Sequence, residues 1–212
     1  RHGDPLRLAD QVFVFKRTVR EAALKHDINA SFMAKPVADE PGSAMHIHIS
    51  VLNTKTGKNI FSNDDGTMSE RFRYFVGGLQ HYIPFLMPMF APNVNSYRRF
   101  FAGESYAAPV NLDWGEENRT CGLRVPNSPP QARRVENRLP GADVNPYLAI
   151  AATMACGYLG MKEKIEPRRM VTGRADAVAE LEVPWNIEQA LVIFRWGRRN
   201  DVQIHRDITN FS

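Results

Sequence analysis

KPVADEPGSAMHIHIS, residues 35–50, leads from a Lys-Pro pair through an acidic turn and a Gly-Ser-Ala step into a predicted strand. Side chains alternate faces along a strand, so His46, His48 and Ser50 point one way and the apolar residues between them point the other. Two imidazoles on one face, backed by an apolar face, suit a metal ion or a bound phosphate. The alternative is a half-buried strand with two ordinary surface histidines, because short motifs often match by chance.

A second charged pattern, RRVENRL at 133–139, places Arg134, Glu136 and Arg138 on one strand face by the same period of two. A carboxylate between two guanidinium groups has its charged form favoured and its pKa lowered. Mg²⁺ and Mn²⁺ prefer oxygen ligands, and arginines stabilise charge on a transferring phosphoryl group. The alternative is a surface charge ladder of little energetic value. Glu136 together with the His46 strand favours a metal and phosphate site.

The composition of the 212 residues is that of an ordinary globular domain, with 43% hydrophobic and 24% charged residues and a formal net charge of +4. Lysine runs and a periodic basic helix are absent, so nucleic acid is not an expected partner. No apolar run approaches about 18 residues, so we expect no membrane span. Two cysteines, Cys121 and Cys156, do not make a disulfide framework, which favours a reducing cytoplasm. Because Arg1 is not a methionine and a strong helix follows at once, we expect a piece of a longer protein.

The hydrophobic periodicity and the capping residues predict several helices. Asp4-Pro5 starts a helix that runs to about Leu24, with Leu8, Val12, Phe15 and Val19 as its core-facing stripe. Further helices are predicted at about 69–85, limited by Pro84 and Pro88, at 147–161 after Asn145-Pro146, and at 185–196. Strands are predicted at 30–34, 44–52, 110–114, 119–125 and 133–139, with a hairpin turn at 53–58 and a long loop at 91–110.

These ordered motifs resemble the catalytic domain of the glutamine synthetase family. The resemblance covers about residues 1–165 and rests on HGDPLRLAD at 2–10, KPVADEPGSAMHIHIS at 35–50, NSYRR at 95–99, APVN and ENRTCGLRVP at 108–126, and ARRVENRLPGADVNPYLA at 132–149. It implies an α+β fold, with a curved antiparallel sheet bearing the site and helices packed outside. It also implies that residues 1–212 are part of one catalytic domain, without the small N-terminal domain and the first catalytic segments.

The family joins the γ-carboxylate of glutamate to ammonia or another amine through γ-glutamyl phosphate, using ATP and two divalent cations, Mg²⁺ or Mn²⁺. By resemblance, His46 and Glu136 are ligands of one metal ion, with the other ligands before Arg1. The remaining positions divide between glutamate and nucleotide, and Arg99 and Arg119 are the catalytic pair. Glutamate contacts are implied for Gly42, Arg99 and Arg138, and nucleotide or phosphate contacts for His48, Ser50, Arg119, Arg124 and Arg134. Because Arg119 and Arg124 are five apart on a predicted strand, Gly122 is interpreted as a bulge that lets them converge.

Two departures from the family bear on the amine. Ammonia-using members carry a glutamate, which closes over the site, where this chain has Ala107, and the preceding loop is longer here, with Glu104 out of register. The γ-glutamyl-polyamine (γ-glutamylputrescine) branch, including NLDWGEENRT at 111–120, resembles the chain better, so a polyamine or other primary amine is expected. The family's asparagine before Gly42 is Pro41 here, which leaves the glutamate amino contact open.

Alternative functions remain open at this point. The chain could belong to an ammonia-using glutamine synthetase or to a family member that no longer catalyses. A His-x-His metal hydrolase needs further histidines, and only His2, His26, His81 and His205 remain. In the family the site lies between subunits of a ring, often a dodecamer of two stacked hexamers. We therefore expect a ring-shaped homo-oligomer for the full-length protein and no activity for this fragment alone.

Overall fold

The first helix, α1 (Pro5–Leu24), begins where the sequence predicts, in a computed structural model that describes residues 2–100, 109–175 and 183–199. The Asp4 side chain accepts a hydrogen bond from the Arg7 amide (3.0 Å), which caps the helix. The predicted stripe is wrong at Phe15, whose side chain is 59% exposed. The inward face instead follows Ala9, Val12, Lys16, Val19 and Ala23, in helical steps of three and four.

Eleven elements follow in chain order within the described residues. They are α1, β1 (Ile47–Ile49), α2 (Glu70–Phe90), α3 (Val94–Tyr97), a 3-10 helix (Arg98–Phe100), β2 (Trp114–Glu116), β3 (Leu123–Val125), a second 3-10 helix (Pro130–Ala132), β4 (Val135–Asn137), α4 (Pro146–Glu163) and α5 (Ile187–Arg199). The predicted strand at 30–34 is wrong, since these residues have no ladder partner among those described. The predicted loop at 91–110 contains α3 and the first 3-10 helix, and its residues 101–108, with Glu104 and Ala107, lie outside the described residues.

Helix α2 is capped by the Ser69 side chain and continues past Pro84 and Pro88 to Phe90, so the predicted end is wrong. A proline inside a helix costs about 3 kcal/mol, because it removes one hydrogen bond and crowds the preceding turn. On the inward face of the helix near the prolines, Ile83, Leu86 and Phe90 are fully buried. Each such side chain contributes about 1.5–3 kcal/mol on burial, which offsets the loss.

Helices α2 and α4 cross at very close range. A Cβ atom on Gly78 would lie 2.2 Å from the carbonyl oxygen of Cys156 and 2.5 Å from the Cα atom of Gly160. A Cβ atom on Gly160 would lie 2.2 Å from the carbonyl oxygen of Tyr74. Only glycine permits this separation, because any side chain would overlap backbone atoms of the partner helix. The two helices form the hydrophobic core with the inner face of the sheet.

The four strands form one sheet in the order β1-β4-β3-β2. Strands β1 and β3 both pair antiparallel with β4, whereas β2 and β3 are parallel. The α+β class is therefore confirmed, and the expected antiparallel sheet is wrong at this one pairing. Glu117 adopts a φ of +50° directly after β2, and residues 117–122 return the chain so that β3 runs in the same direction.

The predicted strand at 44–52 is shorter in the structure, but its outer residues still pair. Ala44 bridges Gly141, and Leu52 bridges Asn59 across the predicted hairpin turn at 53–58. The division of the chain into one partial catalytic domain stays a prediction. Within the described ranges, no helix combines the length and the apolar character needed to cross a bilayer.

Candidate active site

Strand β1 presents its histidines as the sequence predicts. His46, His48 and Ser50 are exposed, whereas Ile47 is buried and Ile49 packs against the core. The register places His48 directly opposite Glu136 on β4, and Glu136 directly opposite Arg124 on β3. Directly paired residues on neighbouring strands share a face of the sheet, so these three strands bring the histidines and the charged residues together.

Glu136 is the centre of the site. It is 1% exposed, and its Oε1 atom lies 2.8 Å from the Nδ1 atom of His46 and 2.9 Å from Nη1 of Arg138. Its Oε2 atom lies 2.7 Å from Nη1 of Arg124. Burial raises the pKa of Glu136, but the hydrogen bonds from His46 and Arg124 and the charge of Arg138 outweigh it and lower the pKa to about 2. The carboxylate is therefore ionised across the neutral range.

The contact between His46 and Glu136 fits two neighbouring ligands of one cation. Metal ligands of this kind lie about 2.1 Å from Mg²⁺, which separates adjacent octahedral ligands by about 3 Å, close to the 2.8 Å found here. A cation can replace the hydrogen that the two groups share, because metal binding releases protons from its ligands. No cluster of three or more histidine, cysteine or acidic side chains forms a metal site within the described ranges.

His48 lies beside the metal pair, next to an arginine. The Nε atom of Arg134 donates a 3.4 Å hydrogen bond to Nδ1 of His48. Burial lowers the pKa of His48, the charge of Glu136 opposes this, and Arg134 adds to it. A neutral imidazole that accepts from an arginine suits the edge of an anion site, since the arginine keeps donors for phosphate oxygens.

Arg99 and Gly42 form a second group. Arg99 is 4% exposed, and its Nη1 atom donates to the carbonyl oxygen of Leu139 at 2.9 Å. Burial lowers the pKa of Arg99 to about 10, against the charge of Asp143. Gly42 packs so closely on this side chain that a Cβ atom would lie 2.9 Å from Cγ of Arg99. The structure therefore brings together these two residues, for which the family resemblance implies contacts to glutamate.

Arg119 and Ser50 are exposed, and the structure does not bring them into contact with Glu136 or Arg99. Arg119 is exposed in the turn between β2 and β3, where its charge helps to lower the pKa of Glu117. Gly122 is not explained by convergence of Arg119 with Arg124. A Cβ atom there would lie 2.1 Å from the carbonyl oxygen of Asn111, so the glycine permits a close backbone approach.

Glu117 makes a contact with Arg124 that the sequence analysis did not predict. Its Oε2 atom lies 2.7 Å from Nη2 of Arg124, and its Oε1 atom accepts from the Asn127 amide. Arg124 is thus held between Glu117 and Glu136. The signal for this contact in the sequence is weak, because Glu116 and Glu117 are adjacent and look alike. In the structure Glu117 adopts a positive φ, and its carboxylate is the one that reaches Arg124.

Known proteins with similar sequences show the family of this chain. The family description "Glutamine synthetase, catalytic domain" matches residues 1–198. Among curated proteins, glutamate–isopropylamine ligase of Pseudomonas sp. is 40% identical over 200 residues, which are 92% of this chain and 43% of that protein. Gamma-glutamylputrescine synthetase PuuA of Escherichia coli is 39% identical over 87% of this chain and 38% of its own length. The chain belongs to the glutamine synthetase family.

Further similar proteins include enzymes named glutamine synthetase and proteins of solved structure. A glutamine synthetase of Pyrococcus horikoshii is 42% identical over 79% of this chain and 37% of that protein. The structure described as "GmaS/ADP complex-Conformation 1" superimposes with a TM-score of 0.84 and 29% identity over 96% of this chain and 48% of its own. This chain spans less than half the length of the curated relatives named above.

Proposed function

We propose that this chain supplies the catalytic part of an ATP-dependent ligase that joins the γ-carboxylate of glutamate to an amine. The observation that carries the proposal is the buried Glu136, which contacts His46, Arg124 and Arg138 at 2.7–2.9 Å. A carboxylate–imidazole pair inside a ring of arginines provides for a cation and for several anionic groups at one place. Glutamate, ATP and an acyl phosphate are all such anions.

His46 and Glu136 would hold one Mg²⁺ or Mn²⁺ ion. When bound, the ion supplies positive charge next to the phosphoryl group of ATP. Glu136 lies in β4 and His46 directly precedes β1, and the β1–β4 ladder holds these two segments side by side. Although burial opposes ionisation, the hydrogen bonds from His46 and Arg124 lower the pKa of Glu136 to about 2, so this ligand stays charged near neutral pH.

The arginines bind different anionic groups according to their positions. Arg138 and Arg99 hold the carboxylates of glutamate, and Gly42 lies where its backbone meets the amino end. Arg124 and Arg119 face the phosphates, with Arg119 and Arg99 as the residues that contact reacting groups. His48, Ser50 and Arg134 lie on the nucleotide side, where Arg134 donates a hydrogen bond to His48. The ADP complex named among the similar structures supports a nucleotide at this fold.

The proposed ligase reaction has two steps. A γ-carboxylate oxygen of glutamate attacks the terminal phosphorus of ATP, the bond to the bridging oxygen breaks, and ADP leaves. The amine nitrogen then attacks the γ-carbonyl carbon of the acyl phosphate, phosphate leaves, and the amine loses one proton to a base. Arginine donors that meet the developing negative charge stabilise both steps.

A primary amine or polyamine is the proposed acceptor. Relatives named for isopropylamine and putrescine match 92% and 87% of this chain. The residue that takes the place of the family's closing glutamate, Ala107, lies outside the described residues and supports the same choice by sequence. Ammonia is the alternative acceptor, favoured by the relatives named glutamine synthetase.

The state of the whole protein is also a proposal. A ring-shaped homo-oligomer, of dodecamer type, and a cytoplasmic location follow from the family resemblance, as does a second metal ion held by residues outside this chain. Isolated residues 1–212 are then expected to be inactive. Measurable ligase turnover by these 212 residues alone would contradict that expectation.

Hydroxylamine trapping tests the proposed intermediate. Full-length protein with ATP, Mg²⁺, glutamate and hydroxylamine is expected to form γ-glutamyl hydroxamate and an equal amount of ADP, because hydroxylamine captures an acyl phosphate as an amine would. Aspartate in place of glutamate serves as the control, since its carboxylate is one methylene shorter. Absence of hydroxamate under conditions where the protein is folded and binds nucleotide would contradict the proposal.

A further inference from the structure

Asn95 joins two segments of the chain through a pair of hydrogen bonds to one residue. Its Oδ1 atom accepts from the backbone amide of Lys35, and its Nδ2 atom donates to the carbonyl oxygen of Lys35, each at 2.8 Å. The amide side chain thus pairs with the backbone as a neighbouring strand would. Two short bonds to one peptide unit define both the separation and the direction of the segments.

One of these segments carries Gly42. Lys35 opens the loop that leads to Gly42, and the loop closes where the Ser43 amide donates to the carbonyl oxygen of Ala34 at 2.8 Å. A Cβ atom on Gly42 would lie 2.7 Å from that same carbonyl oxygen. Any shift of the backbone at Ala34 and Lys35 therefore moves Gly42 with it.

The other segment carries Arg99. Asn95 lies in α3, which continues directly into the 3-10 helix that holds Arg99. This segment is anchored separately, because the Ser96 hydroxyl and the side-chain Nδ2 of Asn93 donate to Oδ2 of Asp143 at 2.6 and 2.9 Å. Asn95 consequently connects an anchored segment to a loop that lacks a strand partner among the described residues.

We infer that Asn95 is a positioning residue that sets the place of Gly42 relative to Arg99, and so the affinity for glutamate. The inference rests on the proposed function, in which both residues contact glutamate. Of the nucleotide-side residues, His48 lies in β1 and Arg134 directly precedes β4, and the ladder bonds of these strands do not involve Asn95. A change at Asn95 should therefore affect the KM for glutamate and leave the KM for ATP nearly unchanged.

Asn95→Asp in the full-length enzyme tests this directly. The side chain keeps its shape but loses the donor, and its second oxygen then faces the carbonyl oxygen of Lys35. Loss of one such bond with an unpaired partner corresponds to about a tenfold effect. We expect the KM for glutamate to rise about tenfold while the KM for ATP stays within about twofold. Asn63→Asp is the matched control, because it removes a similar amide bond to the carbonyl oxygen of Met68 in a turn outside the site.

Each outcome decides the inference. Equal changes in both KM values, or no change in either, would overturn it, as would the same rise in the Asn63→Asp control. If the aspartate variant does not fold, Asn95→Ala, which removes both bonds without adding charge, is judged by the same two constants. An inactive wild-type enzyme contradicts the proposed function instead, whereas an active wild type with an unaltered Asn95→Asp variant contradicts only the role of Asn95.

Discussion

His46 contacts Glu136 diagonally across the β1–β4 pair rather than directly. The residue opposite Glu136 in the register is His48, yet the Nδ1 atom that lies 2.8 Å from the Glu136 carboxylate belongs to His46. Diagonal neighbours on an antiparallel pair remain within reach of long side chains. The two histidines therefore have different surroundings, with His46 on the carboxylate and His48 on Arg134. This difference supports the proposed roles of His46 at the metal and of His48 at the nucleotide.

Glu136→Gln in the full-length protein should raise the Mn²⁺ or Mg²⁺ concentration needed for half-maximal activity. The amide is a weaker ligand than the carboxylate, and it leaves Arg124 and Arg138 without their shared negative partner. Because changes in groups that merely support a metal ligand cost about 10–100-fold, we expect a loss of at least about 100-fold in kcat/KM. Metal titration of activity is the measurement, with the exposed Asp64→Asn as the control. An unchanged metal requirement would rule out Glu136 as a ligand.

Glu117→Ala should weaken the use of ATP through Arg124. The substitution removes the 2.7 Å ion pair with Nη2 of Arg124, so the guanidinium is held on one side only. Because the Glu117 side chain is half exposed, solvent screens this ion pair, and we expect a fall of only about threefold in kcat/KM for ATP. Steady-state kinetics of the full-length enzyme provide the measurement. The neighbouring Glu116→Ala is exposed and should behave as wild type; equal effects at both positions would contradict the special role of Glu117.

Gly78→Ala should destabilise the packing of α2 on α4. The added methyl group would lie 2.2 Å from the carbonyl oxygen of Cys156, so the helices must move apart. Overpacking of this kind costs about 1–3 kcal/mol. Thermal unfolding of the full-length protein should show a lower Tm, whereas Gly3→Ala, which meets no atom within 4 Å, should leave it unchanged. Equal Tm values for both variants would argue against the close crossing.

Local patterns predicted those parts of the site that lie within one strand. The alternation in β1 and β4 correctly placed His46 with His48 and Glu136 with Arg138, because a period of two follows from backbone geometry alone. The caps at Asp4, Ser69 and Asn145 were likewise predictable, since they depend on neighbours a few residues away.

Contacts that depend on the tertiary fold were not predictable in this way. Pro84 and Pro88 lie inside α2 because burial of the surrounding side chains outweighs the local cost. The pairing of Glu117 with Arg124 depends on the parallel path of β3, and that of Asn95 with Lys35 joins residues 60 positions apart. No periodicity in the sequence encodes such contacts, which arise from how the elements meet.

The most direct test of the account is ADP release by the full-length enzyme with ATP, Mg²⁺ and glutamate, comparing ammonium with isopropylamine, putrescine, spermidine and ethanolamine. The account predicts release that requires glutamate and is stimulated by at least one primary amine more than by ammonium. Preference for ammonium would contradict the proposed acceptor and show that the enzyme has glutamine synthetase activity. ADP release that none of these acceptors stimulates, from folded protein, would contradict the ligase function itself.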